Sequence, residues 1–280
     1  MQTRTRRVKH LRHSAGAALV LLLGTLAAGG EEEAAGPEPL RVLQLTGGGW
    51  HDYETQQHIL SNGIEGRINA TVDTLFTDAP EEDLEGHDWL AGYDVVLHNH
   101  GWSYLEPDVQ ARMAEVVSGA HAESGIGAVL LHNTMATFRD APEWFEFTGV
   151  DMYHHEPHYP FTVLNFREDH PLMADFGTEW ETPAGELYNI NRVLPNTSPL
   201  AIAYGRERSH EYEIVIWTRE YEGVPVFATT IGHHNETMED PVYLDLVARG
   251  ILYVTGKLGE DGQAVDGYNA EESVLSPGTD

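Results

Sequence analysis

The sequence predicts one α/β domain built on a doubly wound, mostly parallel sheet. Three observations predict it. Short buried-looking apolar runs of four to six residues recur along the chain, and stretches with helical periodicity alternate with them through the first half. The first run also ends in Gly47-Gly48-Gly49 directly before a helical stretch, the strand, glycine turn and helix order of an open parallel sheet. A patterned region of about 220 residues suits one large core better than two small ones.

Taken in order, residues 41–46 (RVLQLT) read as the first strand and 55–66 as the first helix. Residues 68–75 alternate as a second strand, and 94–98 (DVVLH) form a buried third. Residues 107–123 are helical behind a proline in the first turn, and 128–131 (AVLL) are a fourth buried strand. Thereafter 161–166, 186–193, 200–204, 213–218 and 226–231 read as strands, and 241–255 as a closing helix that begins with Pro241.

Outside this domain, placed at residues 40–258, the chain changes character. Residues 1–30 carry Arg4, Arg6, Arg7, Lys9 and Arg12 without an acid, then an apolar run ending in small residues, the pattern of a cleaved signal peptide. That run is too short to span a bilayer, so no stable membrane insertion is expected after cleavage. The Arg6-Arg7 pair leaves both the general and the twin-arginine routes open, and the destination is periplasmic or extracellular. Residues 31–39 (EEEAAGPEP) read as an acidic linker and 259–280 as a disordered acidic tail.

Composition excludes several functions. The chain of 280 residues has a formal charge of −29, with 45 acids against 16 Lys and Arg, which repels nucleic acid. With no cysteine there is no disulfide, lipid-anchored cysteine, thiol nucleophile or thiolate metal site. No G-x-S-x-G elbow is present, and Thr134 fits a helix-capping role better than a nucleophilic one. GGGWHDY has neither the G-x-G-x-x-G spacing nor the Lys-Ser/Thr that grips phosphate, so no nucleotide is expected. The glycines instead let the backbone turn and approach a ligand or a neighbouring strand.

In open parallel sheets ligands bind beyond the carboxyl ends of the strands, and here those ends are rich in histidine. Strand one is followed by Trp50, His51, Asp52 and Tyr53; strand three by His98 and His100; strand four by His132 and Asn133; a late strand by His233 and His234. A single histidine of this kind is most often a hydrogen-bonded loop residue, but four strand ends share the feature. The segment 151–159 (DMYHHEPHY) adds His154, His155 and His158, as metal ligands or as the lining of a polar loop. Glu186 and Tyr188 in GELY could orient a sugar hydroxyl or a histidine. Trp50, Tyr53, Trp102 and Trp144 beside these groups offer the stacking faces of a sugar pocket, or simply core packing.

The ordered set GGGWHDY, GIGAVLLH, TGVDMYHH, EDHPLMADF, GELY, VIWTREYEGVPVFATTIGHH and DLVARGILYVTG resembles the trehalose-utilisation (ThuA-like) family over about residues 41–256. The resemblance implies a flavodoxin-like fold similar to class I glutamine amidotransferases. The cysteine that such enzymes carry after strand four is absent, His132 and Asn133 standing in that region. It points to His51, His132, one of His154 or His155, the His170-Pro171 pair, Glu186, Tyr188 and His233. The usual paired glycine before the histidine pair is here Thr148-Gly149. The family implies catabolism of disaccharides or oxidised sugars.

The expected protein is therefore an exported enzyme acting on a small sugar or keto-sugar, as hydrolase, lyase or isomerase. His51, His132, Glu186, Tyr188 and His233 form its catalytic set, and Trp50, Asp52, Tyr53, Asn133 and His100 its substrate contacts. One divalent metal, zinc or similar, is expected on His51, His132, His155 and His233. A non-catalytic sugar-binding protein and a metal-dependent hydrolase of an amide or ester are the rival readings of the same residues.

Overall fold

The computed structural model describes residues 36–86 and 88–276. The expected signal peptide at 1–30 and the first part of the acidic linker lie outside the described residues. The first half follows the alternation of the sequence: β1 (Leu40–Gly48), α1 (Tyr53–Glu65), β2 (Ala70–Phe76), α2 (Pro80–Asp83), β3 (Val95–Gly101), α3 (Pro107–Ser124) and β4 (Gly127–Leu131). After it come α4 (Pro142–Thr148), β5 (Val150–His155), β6 (Thr162–Asn165), β7 (Glu179–Glu181) and β8 (Tyr188–Val193). The chain then forms β9 (Thr197–Tyr204), β10 (Tyr212–Tyr221), β11 (Val224–Thr229), α5 (Asn235–Met238) and α6 (Pro241–Val254).

Nine strands form one sheet in the order β2-β1-β3-β4-β11-β10-β9-β6-β7. From β2 to β11 every pairing is parallel, and from β11 to β7 every pairing is antiparallel. The sheet is thus mixed, which corrects the expectation of a mostly parallel one. The cause is local: β10 and β11 are joined by Glu222 and Gly223, both at positive φ (49° and 82°), the two-residue turn that folds a strand back beside itself. A second, two-stranded sheet pairs β5 with β8, with register shifts between Asp151 and Met152 and between Met152 and His154.

Alternate residues of the central strands feed two cores. Val42, Val95 and Leu97 pack with Leu60 and Ile64 of α1 and Val247 and Ile251 of α6. Leu43, Leu45 and Val96 pack on the other side with Met113 and Val117 of α3 and Trp144 and Phe147 of α4. Caps fix where the helices begin. Asp52 accepts from the Thr55 amide at the start of α1, Asp240 accepts from the Val242 amide at the start of α6, and prolines open α3 and α6.

The expectation of a disordered tail from residue 259 is also corrected. Through Ser276 the segment packs back on the domain, with Leu275 buried and the Ala270 and Val274 amides donating to the carbonyls of Arg67 and Gly66. Its anchor is Arg249 of α6, a buried guanidinium that donates to the carbonyls of Gly262 and Ser276 and to Asp175. A buried cation needs such acceptors, and the acidic, polar tail supplies two of them.

Candidate active site

The glycine run at the end of β1 exists for close packing. A Cβ on Gly48 (φ 98°) would lie 2.2 Å from the Gly101 carbonyl oxygen of β3. The chain then turns through Trp50 at φ 82° and presents His51. Beyond β4, His132 (φ 44°) opens a turn of 3-10 helix that runs to Ala136. Beyond β11, His233 (φ 72°) follows Gly232, where a Cβ would lie 2.7 Å from that of His132. His155 ends β5 and is paired in register with Tyr188, so Glu186, just before β8, comes to lie beneath the histidines. The site is assembled from the ends of β1, β4, β5 and β11 and the start of β8.

Glu186 is its centre. Oε2 lies 3.1 Å from His132 Nε2 and 3.1 Å from His233 Nδ1, while Oε1 lies 2.9 Å from His155 Nδ1 and 3.2 Å from His158 Nε2. Burial alone would push this carboxyl up; hydrogen bonds from His132 and His233 and their charge outweigh it and hold the carboxyl well below the usual range. His51 stands edge-on to His132 and His233, at ring-centroid distances of 4.8 and 4.5 Å. Burial, then the neighbouring His132 and His233, lower it to about 2, so the imidazole is neutral.

Tautomers follow from the partners. His132 Nδ1 lies 2.7 Å from the Thr230 carbonyl oxygen, which can only accept, so Nδ1 carries a proton and Nε2 is the nitrogen left facing Glu186 Oε2. His51 Nδ1 faces the Tyr53 hydroxyl at 3.1 Å, and its Nε2 is buried without a hydrogen-bond partner. His51, His132, His233 and Glu186 thus form a group whose ligand atoms all lie within 4.8 Å of one another. Three imidazoles and a carboxylate suit a divalent cation of the zinc type, and a ring N–H given to a backbone carbonyl, as at His132, is how ligating histidines are oriented.

Above this cluster is a cavity of about 540 Å³ lined by Trp50, Ser103, Asn133, Arg139, Tyr188 and the histidines. Its size is that of small-molecule sites in general. Trp50 is 72% exposed, its indole held by Ser103 Oγ at 3.3 Å. On the floor, Tyr188 Oη lies 3.3 Å from His132 Nε2 and 3.4 Å from Asn133 Oδ1, and the Asn133 amide donates to Tyr53 Oη at 3.2 Å. Burial raises Tyr53 and Tyr188 well above the ordinary phenol range, so both remain protonated.

The family model for trehalose utilisation, ThuA, matches residues 41–254. The chain belongs to the ThuA family. Among curated proteins no sequence matches it. Similar solved structures include a ThuA-like protein from Parabacteroides merdae, at 18% identity and TM-score 0.62, over 84% of this chain and 98% of that one. Another is a ThuA-like protein from Bacteroides uniformis, at 16% identity and TM-score 0.61, over 80% and 96%. PurLQS from Thermotoga maritima follows at 15% identity and TM-score 0.50, over 77% and 98%. At these identities the likeness is one of fold. Family membership supports a role related to carbohydrate utilisation.

In this ThuA-family chain His51, His132, Glu186, Tyr188 and His233 are brought together, with Trp50, Tyr53 and Asn133 around them. Of the His154 and His155 pair it is His155 that reaches Glu186; His154 is exposed. Asp52 lies at the rim, where besides capping α1 it accepts from Asn235 at 2.8 Å. His170 is elsewhere, its Nδ1 accepting from the Leu172 amide.

His100 is not a substrate contact, which corrects the expectation. Strand β3 runs on through Gly101, fully buried, so His98 and His100 lie inside the sheet and not beyond it. His121 Nδ1 donates to the Ile126 carbonyl, which orders a chain of neutral imidazoles: His98 Nε2 to His121 (3.0 Å), His100 Nε2 to His98 (3.1 Å) and the Thr137 hydroxyl to His100 (3.2 Å). His100 also stacks on Trp102 at 3.8 Å. His158 was absent from the expected metal set because no ligand spacing marked it, though the histidine-rich segment around it was the available signal.

Proposed function

We propose that this protein is an exported, metal-dependent enzyme that processes a small sugar or keto-sugar. The observation that carries it is a pair of ring nitrogens at the cavity floor: His132 Nε2, 3.1 Å from Glu186 Oε2 and oriented by the Nδ1 contact to Thr230, and His51 Nε2, buried with no hydrogen-bond partner. A buried ring nitrogen left without a partner, as at His51 Nε2, costs about 1–3 kcal/mol, which a bound cation would offset.

A divalent ion held by His51, His132, His233 and Glu186 would supply a Lewis acid at the cavity floor. The chain's own groups do the rest. Trp50 offers an apolar face to the C–H side of a sugar ring, and Asn133 supplies amide hydrogen bonds to its hydroxyls. Tyr188, kept protonated by burial, donates to a substrate oxygen on which negative charge develops. Tyr53 fixes the His51 ring from behind.

The test pairs metal analysis with turnover. Protein purified without an affinity tag is expected to hold one tightly bound divalent ion, to turn over a member of a panel of disaccharides and keto-sugars, and to stop after chelation and restart on reloading. Saturable sugar binding without product in the loaded protein would favour a binding protein instead. Amino-terminal sequencing of the protein from its native host tests the expected cleavage near residue 30.

A further inference from the structure

Glu186 uses both of its oxygens, and each has its own pair of histidine nitrogens. Oε2 faces His132 and His233, with His51 closing that side; Oε1 faces His155 and His158. His155, His158 and Glu186 form a second group whose ligand atoms all lie within 4.8 Å of one another. The two groups differ in setting. The side chain of His132 is 1% exposed and that of His233 19%, whereas those of His155 and His158 are 41% and 44% exposed and line the cavity mouth.

The geometry points to a two-cation centre bridged by Glu186, with an inner ion on Oε2 and an outer ion on Oε1 held by His155 and His158. The inference rests on the inner site proposed above and extends it. One carboxylate spanning two ions sets them about 3.5–4 Å apart, the spacing at which a pair clamps the two oxygens of a displacement reaction. Ligand nitrogen and oxygen atoms around a tetrahedral ion lie roughly 3.3 Å apart, so contacts of 2.9–3.2 Å to Glu186 need only open by a few tenths of an ångström, while the outer ion would also displace the 2.7 Å contact of His155 Nδ1 with the Glu156 carbonyl oxygen. With two imidazoles and one shared oxygen, the outer ion keeps open positions toward the cavity, so it would be the weaker-bound and the one that meets substrate oxygens. The substrate class this favours is a sugar presenting two adjacent oxygens, a hydroxyl beside a carbonyl or another hydroxyl.

Equilibrium dialysis of the metal-free protein against micromolar Zn²⁺, with elemental analysis per chain, separates the cases. Two ions per wild-type chain are expected, and one in the His155→Ala/His158→Ala variant. His158→Ala alone is the second variant, and the melting temperature shows that each remains folded. His234→Ala should keep two, because the competing trio of His158, His233 and His234 does not use the bridge. The wild type loaded with two Mn²⁺ should give an exchange-coupled resonance spectrum that the double variant lacks. One ion in both wild type and double variant overturns the bridge and leaves the inner site standing. No ion overturns both readings, and loss of the second ion in His234→Ala assigns it to the other trio and overturns the bridge.

Discussion

Glu156 sits between the two outer histidines and is fully buried, so replacing it is a sharp perturbation of the loop that carries them. Its Oε1 accepts from the Ser209 amide at 2.8 Å and from Asn189 at 3.2 Å; its Oε2 accepts from the Glu207 amide at 2.8 Å and from the Tyr159 hydroxyl at 3.0 Å. The Arg208 amide reaches both oxygens. Burial would raise this carboxyl, but the amides of Ser209 and Glu207, then Asn189 and Tyr159, outweigh it and lower it to about 2 from the ordinary 4.5. Because the folded value is depressed, the stabilisation is complete above the ordinary value and is lost as pH falls toward the folded one. The shift corresponds to about 3 kcal/mol at pH 7, falling to roughly 1.5 kcal/mol at pH 3. Glu156→Gln keeps the shape but turns an NH2 toward N–H donors, so the loss at pH 7 is expected to be at least that large. Urea unfolding of both proteins at pH 7 and pH 3 measures it. A difference below about 1 kcal/mol at pH 7, or a gap that does not narrow in acid, would refute the reasoning.

Other outcomes follow from the same geometry. His132→Ala and His233→Ala each remove an inner ligand, and metal affinity should fall at least about 100-fold with turnover lost and the far-ultraviolet circular dichroism kept; retained metal in both would sink the assignment. Burial lowers His121 to about 4 and His100 to about 3, and holds His98 well below its usual range, so the unfolded chain takes up protons that the folded one refuses. Stability should therefore decline as pH drops from about 6.5 toward 4, and a denaturation midpoint flat across that window would contradict the neutral chain. Arg249→Met leaves the Gly262 and Ser276 carbonyls and Asp175 without their donor, and should cost about 3 kcal/mol while opening residues 259–276 to limited proteolysis. Cleavage no faster than in the wild type would mean that the guanidinium does not hold the tail.

The parts of this fold that were legible in the sequence are those where one physical signal dominates. Strands β1, β3 and β4 are short apolar runs and lie where the runs lie, and β2 lies where the sequence alternates. The antiparallel half does not follow from the apolar runs alone; its sequence signal is Glu222-Gly223, a two-residue segment with glycine between strands. Strand β5 is hidden in the histidine-rich segment because VDMYHH lacks the apolar alternation that marks a strand. His100 was misplaced since an apolar run ending at His98 looks like the end of a strand, and nothing local shows that His121 and Thr137 will satisfy two more buried polar residues. His51, His132 and His233 were found because strand ends are where such sheets bind ligands; that Glu186 would tie four imidazoles together depends on the β5 and β8 pairing, which is long-range.

The carboxylate of Glu186 also has a mechanical consequence. Of its four histidine partners His132 and His233 follow β4 and β11, His155 ends β5 and His158 follows it, and His51 belongs to the beginning of the domain, so the cluster knots together distant parts of the sequence. A chain with no cysteine has no covalent staple to restrict its denatured ensemble. A cation seated in the cluster would serve as a reversible one: it can form only when the sheet is complete, it closes loops of many residues, and each tenfold excess over its dissociation constant adds about 1.4 kcal/mol to the folded state. The supply of metal would then set the protein's lifetime against proteases as well as its rate.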